Sequence, residues 1–409
     1  MEIAYILLGI SSLVFLAYLF SHIFEKFHVP DVLFLIIIGL VLGPVTGLVN
    51  PGQFGIEAEV FAVLTLLVVL FEAGLNIKLK ELFITMPRAF FMMLATLIST
   101  VAIIVGFGSL VLDFDLIESL VVGVLLGGVS AGISIPLLKK LPVADKTKSL
   151  ITFEADINDV FTVSIIFAII DFTQNGFLNI RSFSAGIGFD LTIALLVGVV
   201  TAFGWSQIIY QVRGIQNNIF MTPALVLIVF SITEIFGASG VFAALAFGIT
   251  LGNLQYVKKK SLFFISRFHE FSLTEWEKKM FSGFVFLLKT YFYVFIGLSI
   301  RISQINILFW TFIVTALLFL VRILIVHFFV PKETSSFDKK ILERLLPKGL
   351  VGAALISLVE NPLLQNFTFG VILWSIVFTS ILLSIIPPAT PISNNGDPKK
   401  TQNRKECRE

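Results

Sequence analysis

Between Leu150 and Val163 the chain reads LITFEADINDVFTV, and Glu154, Asp156, Asn158 and Asp159 interrupt a run that is otherwise largely apolar. A carboxylate moved from water to the centre of a lipid-embedded helix costs roughly 2.5–3.5 kcal/mol even on lenient scales. Three carboxylates within six residues therefore need a purpose, and acids held beside an amide in hydrocarbon suit the handling of a cation or a proton. Helical spacing sorts them: Glu154 and Asn158 share a face, Asp159 lies about 100° further round, and Asp156 about 60° from Asp159. An acid that alternately holds a proton and yields it to a cation works best where desolvation favours its neutral form. Asp159 is the candidate for that duty. Glu154, paired with a buried arginine, would stay ionised and serve as architecture.

The natural partner is Arg322, in the middle of ALLFLVRILIVHFF and too deep to reach water comfortably. Lys289, in FVFLLKTYFYVFIGL, is the other embedded base, with Glu72 and Glu234 as candidate partners. Its charge suits either an ion pair that fixes packing or an accessory part in transport. Glu72 and Glu234 lie near the ends of apolar runs, where they could line an ion funnel, meet a second subunit or simply face the interface. The four histidines, His22, His28, His269 and His327, show no metal-ligand spacing. Neither HExxH nor a CxxC pair occurs, and no glycine-rich phosphate loop follows a strand pattern. The single cysteine, Cys407, excludes an intrachain disulfide or a thiolate cluster.

The elements that must position these groups are membrane spans. The 409 residues are 57% hydrophobic and only 14% charged, with a mean hydropathy of +0.98, against about 25% charged in soluble domains. Apolar runs near the length a bilayer demands predict thirteen spans, roughly 3–22, 31–48, 58–75, 88–112, 117–138, 149–171, 187–211, 219–236, 240–256, 280–300, 305–330, 346–360 and 366–388. Of the 29 Lys and Arg residues, Lys289 and Arg322 lie inside spans and Arg181 and Arg301 in one set of loops; all others fall in the opposite set. The positive-inside rule then places the N-terminus outside and the C-terminus in the cytoplasm of a plasma-type membrane. The N-terminal apolar run, lacking a basic start and a cleavage site, reads as a retained span. Residues 257–279 mix basic and aromatic side chains as an interfacial helix does, and 391–409 form a short polar cytoplasmic tail. Nothing suggests nucleic-acid binding.

Spans 5 and 12 read as interrupted. Span 5 gathers Gly127, Gly128, Ser130, Gly132, Ser134 and Pro136, and span 12 has Pro347, Gly349 and Gly352, poor material for continuous helices. Interrupted spans in corresponding halves are a pointer to a transporter's binding site; close helix packing around small residues is the alternative.

The segments GGVSAGISIPLLKKL and KTKSLITFEADINDVFTV resemble the monovalent cation:proton antiporter superfamily, in its Asn-Asp, sodium/proton exchanger-like branch. LFEAGL at Glu72, TEIFGASGVFAALAFGITLGN at 233–253, YFYVFIGL at 291–298 and RILIV at Arg322 follow in the expected order. The resemblance implies an all-α polytopic protein of about thirteen transmembrane helices, with an inverted repeat and crossed discontinuous helices at spans 5 and 12. It implies a transporter domain over 1–390, with spans 1–3 and 8–10 as a dimer scaffold, spans 4–6 and 11–13 as a mobile transport unit, and span 7 as linker. Asp159 would bind the cation and exchange it for a proton, and Asn158 would support the site and go with electroneutral, one-for-one exchange. Glu154 would pair with Arg322. The homodimer follows from the same resemblance.

Some positions depart from the family pattern. Ala155 stands where Ser or Thr is frequent, and Val129-Ser130-Ala131 stands where a Thr-Asp-Pro or Thr-Ser-Pro is found; the Val129 carbonyl and Ser130 hydroxyl remain candidate ligands. Lys348-Gly349 replaces Arg-Gly, and Asp156 adds a carboxylate at a position that is usually small or apolar. The expected function is exchange of Na⁺, with K⁺ or Li⁺ as options, for H⁺ by alternating access in pH homeostasis, without a cofactor and not as an enzyme. The alternatives are a Kef-type potassium/proton efflux transporter, an intramembrane enzyme using Asp156 and Asp159 as a carboxylate pair, and a sensor that has lost transport.

Overall fold

The computed structural model describes residues 8–9, 11–20, 30–77, 79–175, 180–212, 220–254, 275–302, 304–359 and 361–385. Most of 257–279 and all of the 391–409 tail lie outside them. The described residues form fifteen helices and no strand, as expected where only a helix satisfies a lipid-embedded backbone by itself. Six helices contain stretches long and apolar enough to cross a membrane, and five shorter apolar helices accompany them.

The helices are α1 (Ser11–Phe20), α2 (Asp31–Leu40, prolonged by a wider turn over Val41–Val45), α3 (Gly55–Asn76), α4 (Leu79–Val111), α5 (Leu116–Leu125), α6 (Ala131–Lys140), α7 (Asp145–Asn175), α8 (Ile180–Val212), α9 (Met221–Ile235) and α10 (Gly240–Gly252). They continue with α11 (Glu275–Ser299), α12 (Ile305–Phe329), α13 (Ser336–Arg344), α14 (Leu350–Ser357) and α15 (Pro362–Ser384). Two packing groups emerge. In one, α2 lies on α11, and α10 on α3, α8 and α9; in the other, α4 packs on α5, α7 and α12, and α12 on α15. The α2–α11 contact is closed by glycine: a Cβ on Gly39 or Gly297 would run into the facing backbone.

Both predicted interruptions are present. α5 ends at Leu125, Ser130 is extended (φ −77°, ψ 120°), and α6 begins at Ala131. The counterpart runs extended at Gly349 (φ −99°, ψ 165°) before α14 starts at Leu350. Pro347 disfavours helical backbone in the residue before it, and its carbonyl accepts from the Ser130 amide at 2.8 Å. The extended segments are thus stitched together where they cross. The series long helix, interrupted span, long helix occurs twice, as α4, α5–α6, α7 and as α12, α14, α15, consistent with an inverted repeat.

Each end of this second group is fastened by a carboxylate. Asp338 on α13 accepts from Thr147 Oγ1 (2.7 Å) and the Ala144 amide (3.3 Å), tying the loop before α7 to the segment before α14. At the start of α5, Glu118 completes a capping box with Asp115 and accepts from Asn361 Nδ2 at 2.9 Å, joining α5 to the cap of α15. The short α13 was not expected from hydropathy, because it is polar and amphipathic rather than a span.

Candidate ion-binding site

α7 enters beside the crossing, and its polar residues part ways as the helical spacing requires. Glu154 turns toward α4 and α12 and is fully buried. It forms a two-pronged ion pair with Arg322: Nη1 meets Oε1, and Nη2 donates to Oε2 at 2.8 Å. Arg322 Nη1 also donates to Thr96 Oγ1 (3.0 Å) and its Nε to the Leu342 carbonyl (3.2 Å). This satisfies most of a guanidinium's donors, without which a charge so deep would not be tolerated. Lys348 is also fully buried, within electrostatic reach of the pair, and its Nζ has no hydrogen-bond partner. The Glu154 carboxylate is therefore bonded to Arg322, with the Lys348 amine close by.

Asp156 and Asp159 face the other way, into a cavity of about 320 Å³. Its walls come from both packing groups: Asp156 and Asp159 of α7 and Gly132 of α6 on one side, and Asp31 of α2, Glu72 of α3, and Lys289 and Tyr293 of α11 on the other. Asp156 and Asp159 are 4% and 7% exposed, so each is shielded from bulk water yet borders this space. Asp159 interacts electrostatically with Asp156 and with Lys289. Lys289 Nζ bonds Glu72 Oε2 at 3.3 Å and approaches to 3.8 Å the point where a Gly132 side chain would begin. Pro136 cannot donate to the Gly132 carbonyl four residues before it, so the interrupted span also frees a backbone oxygen beside the cavity.

Asn158 is buried against the crossing, and a Cβ on Gly128 would overlap its carboxamide. The glycine at the break is therefore what leaves room for the asparagine side chain at the crossing. Its Oδ1 has no hydrogen-bond partner. Val129 and Ser130 are buried on the extended crossing and are not among the cavity-lining residues, although Ser130 Oγ lies 3.9 Å from the same Gly132 point. Glu234 is apart from all of this: it is exposed and accepts from the Gly240 amide at 2.8 Å. The structure thus chooses Glu72 over Glu234 as partner of Lys289. It also adds Asp31, Tyr293 and Thr96, which the sequence reading did not single out. Tyr293 alone carried a signal, being four residues after Lys289 and so on its helix face.

Buried carboxylates thus lie at the junction of two helix groups, beside crossed interrupted spans. The model of the family described as sodium/hydrogen exchanger, transmembrane, matches residues 11–390, and the chain belongs to that family. Among solved structures, the sodium proton antiporter MjNhaP1 from Methanocaldococcus jannaschii at pH 8 superposes with a TM-score of 0.71 at 17% identity, covering 93% of this chain and all of that one. An electron-microscopy map of MjNhaP1 gives 0.65 at 19% identity, covering 94% and 95%. At these identities the likeness establishes the fold. Family and fold are those of a transporter.

Proposed function

We propose that the protein is a secondary antiporter that exchanges Na⁺ for H⁺ at Asp159 by alternating access. The observation that carries this reading is Asp159 itself, a buried carboxylate bordering a cavity whose opposite wall belongs to another group of helices. Cation and proton compete for it, and either load neutralises a charge that is costly to carry through the membrane. The helices of spans 4–6 and 11–13 form the mobile unit and those of spans 1–3 and 8–10 the scaffold of a homodimer, with span 7 as linker. The fastening of α5, α7, α13 and α15 through Glu118 and Asp338 supports motion of the proposed mobile unit as one body.

Asn158 orients and completes the site, and its neutrality favours one cation per proton. Val129 and Ser130 hold the crossing beside Asp159, with the Ser130 hydroxyl an accessory ligand. Asp156 keeps the cavity attractive to cations, while Lys348 and the Glu154–Arg322 pair hold the crossed spans in register. Lys289 and Glu72 form an accessory pair on the scaffold wall; Glu234 has a capping role. K⁺ and Li⁺ are alternative substrates through the same oxygens. The basic loops support a plasma-membrane orientation with the C-terminus inside and the cavity opening to the cytoplasm.

Purified protein in proteoliposomes, with membrane potential clamped, tests the reading. Addition of Na⁺ is expected to move protons in the wild type, and lowering the pH on that side to raise the half-saturating Na⁺ concentration without changing the maximal rate. Asp159→Asn is expected to abolish the exchange. Cation-driven proton movement persisting in that variant refutes the assignment.

A further inference from the structure

The scaffold-side wall of the cavity carries one group for which the proposed exchange gives no use. Tyr293 borders the cavity, is only 1% exposed, and its hydroxyl has no hydrogen-bond partner. Burying a hydroxyl without a partner is costly, so such an atom beside a cavity points to a ligand or a water that it meets there. The phenol lies within electrostatic reach of Asp31 and Asp159, so its oxygen is near carboxylates from both walls. Neither accepts a hydrogen bond from it. A hydroxyl held beside carboxylates without bonding them leaves room for something that binds to both kinds of oxygen.

A cation entering this space loses water and needs replacement oxygens. Asp159 offers its carboxylate, and the Gly132 carbonyl is freed by Pro136. These come from α6 and α7. Among the described residues, no three of His, Cys, Asp and Glu gather as a metal site, and a neutral phenol adds coordination without adding charge. Both observations favour a monovalent over a divalent ion.

We infer that the Tyr293 hydroxyl is a direct ligand of the transported monovalent cation, supplied from the α11 wall while Asp159 holds the ion from the α7 wall. The inference rests on exchange at Asp159. Because the two ligands belong to different helix groups, the contact exists only in the arrangement described here and is lost when one group moves past the other. Tyr293 therefore strengthens Na⁺ binding from the side to which this cavity opens, and not from the other.

The test is Tyr293→Phe, which removes one oxygen and leaves the buried ring in place. In proteoliposomes of defined orientation, half-saturating Na⁺ is expected to rise about tenfold from the cavity side, equivalent to roughly 1.4 kcal/mol, and to change less than twofold from the other. The pH dependence of exchange at saturating Na⁺ stays as in the wild type. In detergent, thermal protection by Na⁺ should need about tenfold more Na⁺, the shift expected when a ligand's Kd weakens by that factor. Unchanged Na⁺ dependence in both assays, or an equal loss from both sides, overturns the inference. Run beside Asp159→Asn, the outcomes separate: exchange surviving in the aspartate variant defeats the proposed function, whereas a silent phenylalanine variant beside a dead aspartate variant defeats only the role of Tyr293.

Discussion

Replacing Glu154 by alanine measures how far the buried ion pair holds the crossed spans together. The substitution removes both guanidinium contacts and leaves Arg322 with Thr96 and the Leu342 carbonyl. Arg322 cannot reach water, being 1% exposed, and the fully buried Lys348 lies beside it. Breaking one partner from a buried pair typically costs 3–5 kcal/mol. That range is expected here, because Arg322 keeps its charge whereas the buried Lys348 amine can lose its proton. The assay is heat denaturation in detergent followed by gel filtration of the surviving fraction, with Na⁺ dependence measured on the protein that remains folded. Glu154→Ala should yield little folded protein, and what survives should bind Na⁺ nearly as the wild type does. Replacing both partners, as Glu154→Leu with Arg322→Met, should recover much of the loss, because no unpaired guanidinium remains. A single variant destabilised by less than about 1 kcal/mol, or produced in normal yield with altered Na⁺ affinity, would refute the architectural role.

Two further substitutions probe the neighbours of Asp159. Gly128→Ala places a methyl group where the Asn158 carboxamide lies; overpacking of this kind costs about 1–3 kcal/mol, and a lowered melting temperature with weakened Na⁺ dependence of exchange is expected. Asp156→Asn keeps the shape but removes one negative charge from the cavity. Na⁺ affinity should fall roughly fivefold, about 1 kcal/mol, while exchange persists and stays insensitive to imposed voltage; wild-type exchange that follows the voltage and loses this dependence in Asp156→Asn would instead make Asp156 a second proton carrier.

Much of the site was legible because cost in a membrane is a strong signal. Arg322 had to find a buried acid, and Glu154 lay on the face of α7 opposite to the cavity, so the pairing could be anticipated from charge and helical spacing alone. The breaks were legible for a similar reason, since glycines and prolines at those positions leave the backbone little choice. Less legible was which helix would face which. Periodicity fixes the face of a residue on its own helix but not the neighbour opposite it, so Glu72 and Glu234 remained equal candidates for Lys289 until packing of α3 near α11 decided between them. Tyr293 escaped notice because a tyrosine in an apolar span usually reads as core. Only its unpaired hydroxyl and the cavity beside it separate it from Phe292, which is equally buried.

The distribution of charge across the cavity bears on how the proposed exchange would stay coupled. Asp159 and Asp156 stand on one wall, and Lys289, held by Glu72, stands on the other. When Asp159 is empty and ionised, Lys289 attracts it across the junction, and moving the two groups apart would also carry an uncompensated carboxylate through the low-dielectric interior. Both terms oppose motion of the unloaded carrier. In the proposed exchange, either a proton or a cation at Asp159 would remove the attraction and the cost together, making the two loads interchangeable permits for the same movement. Coupling on this view needs no signal between distant sites; it follows from one carboxylate and one ammonium placed on opposite sides of a moving boundary.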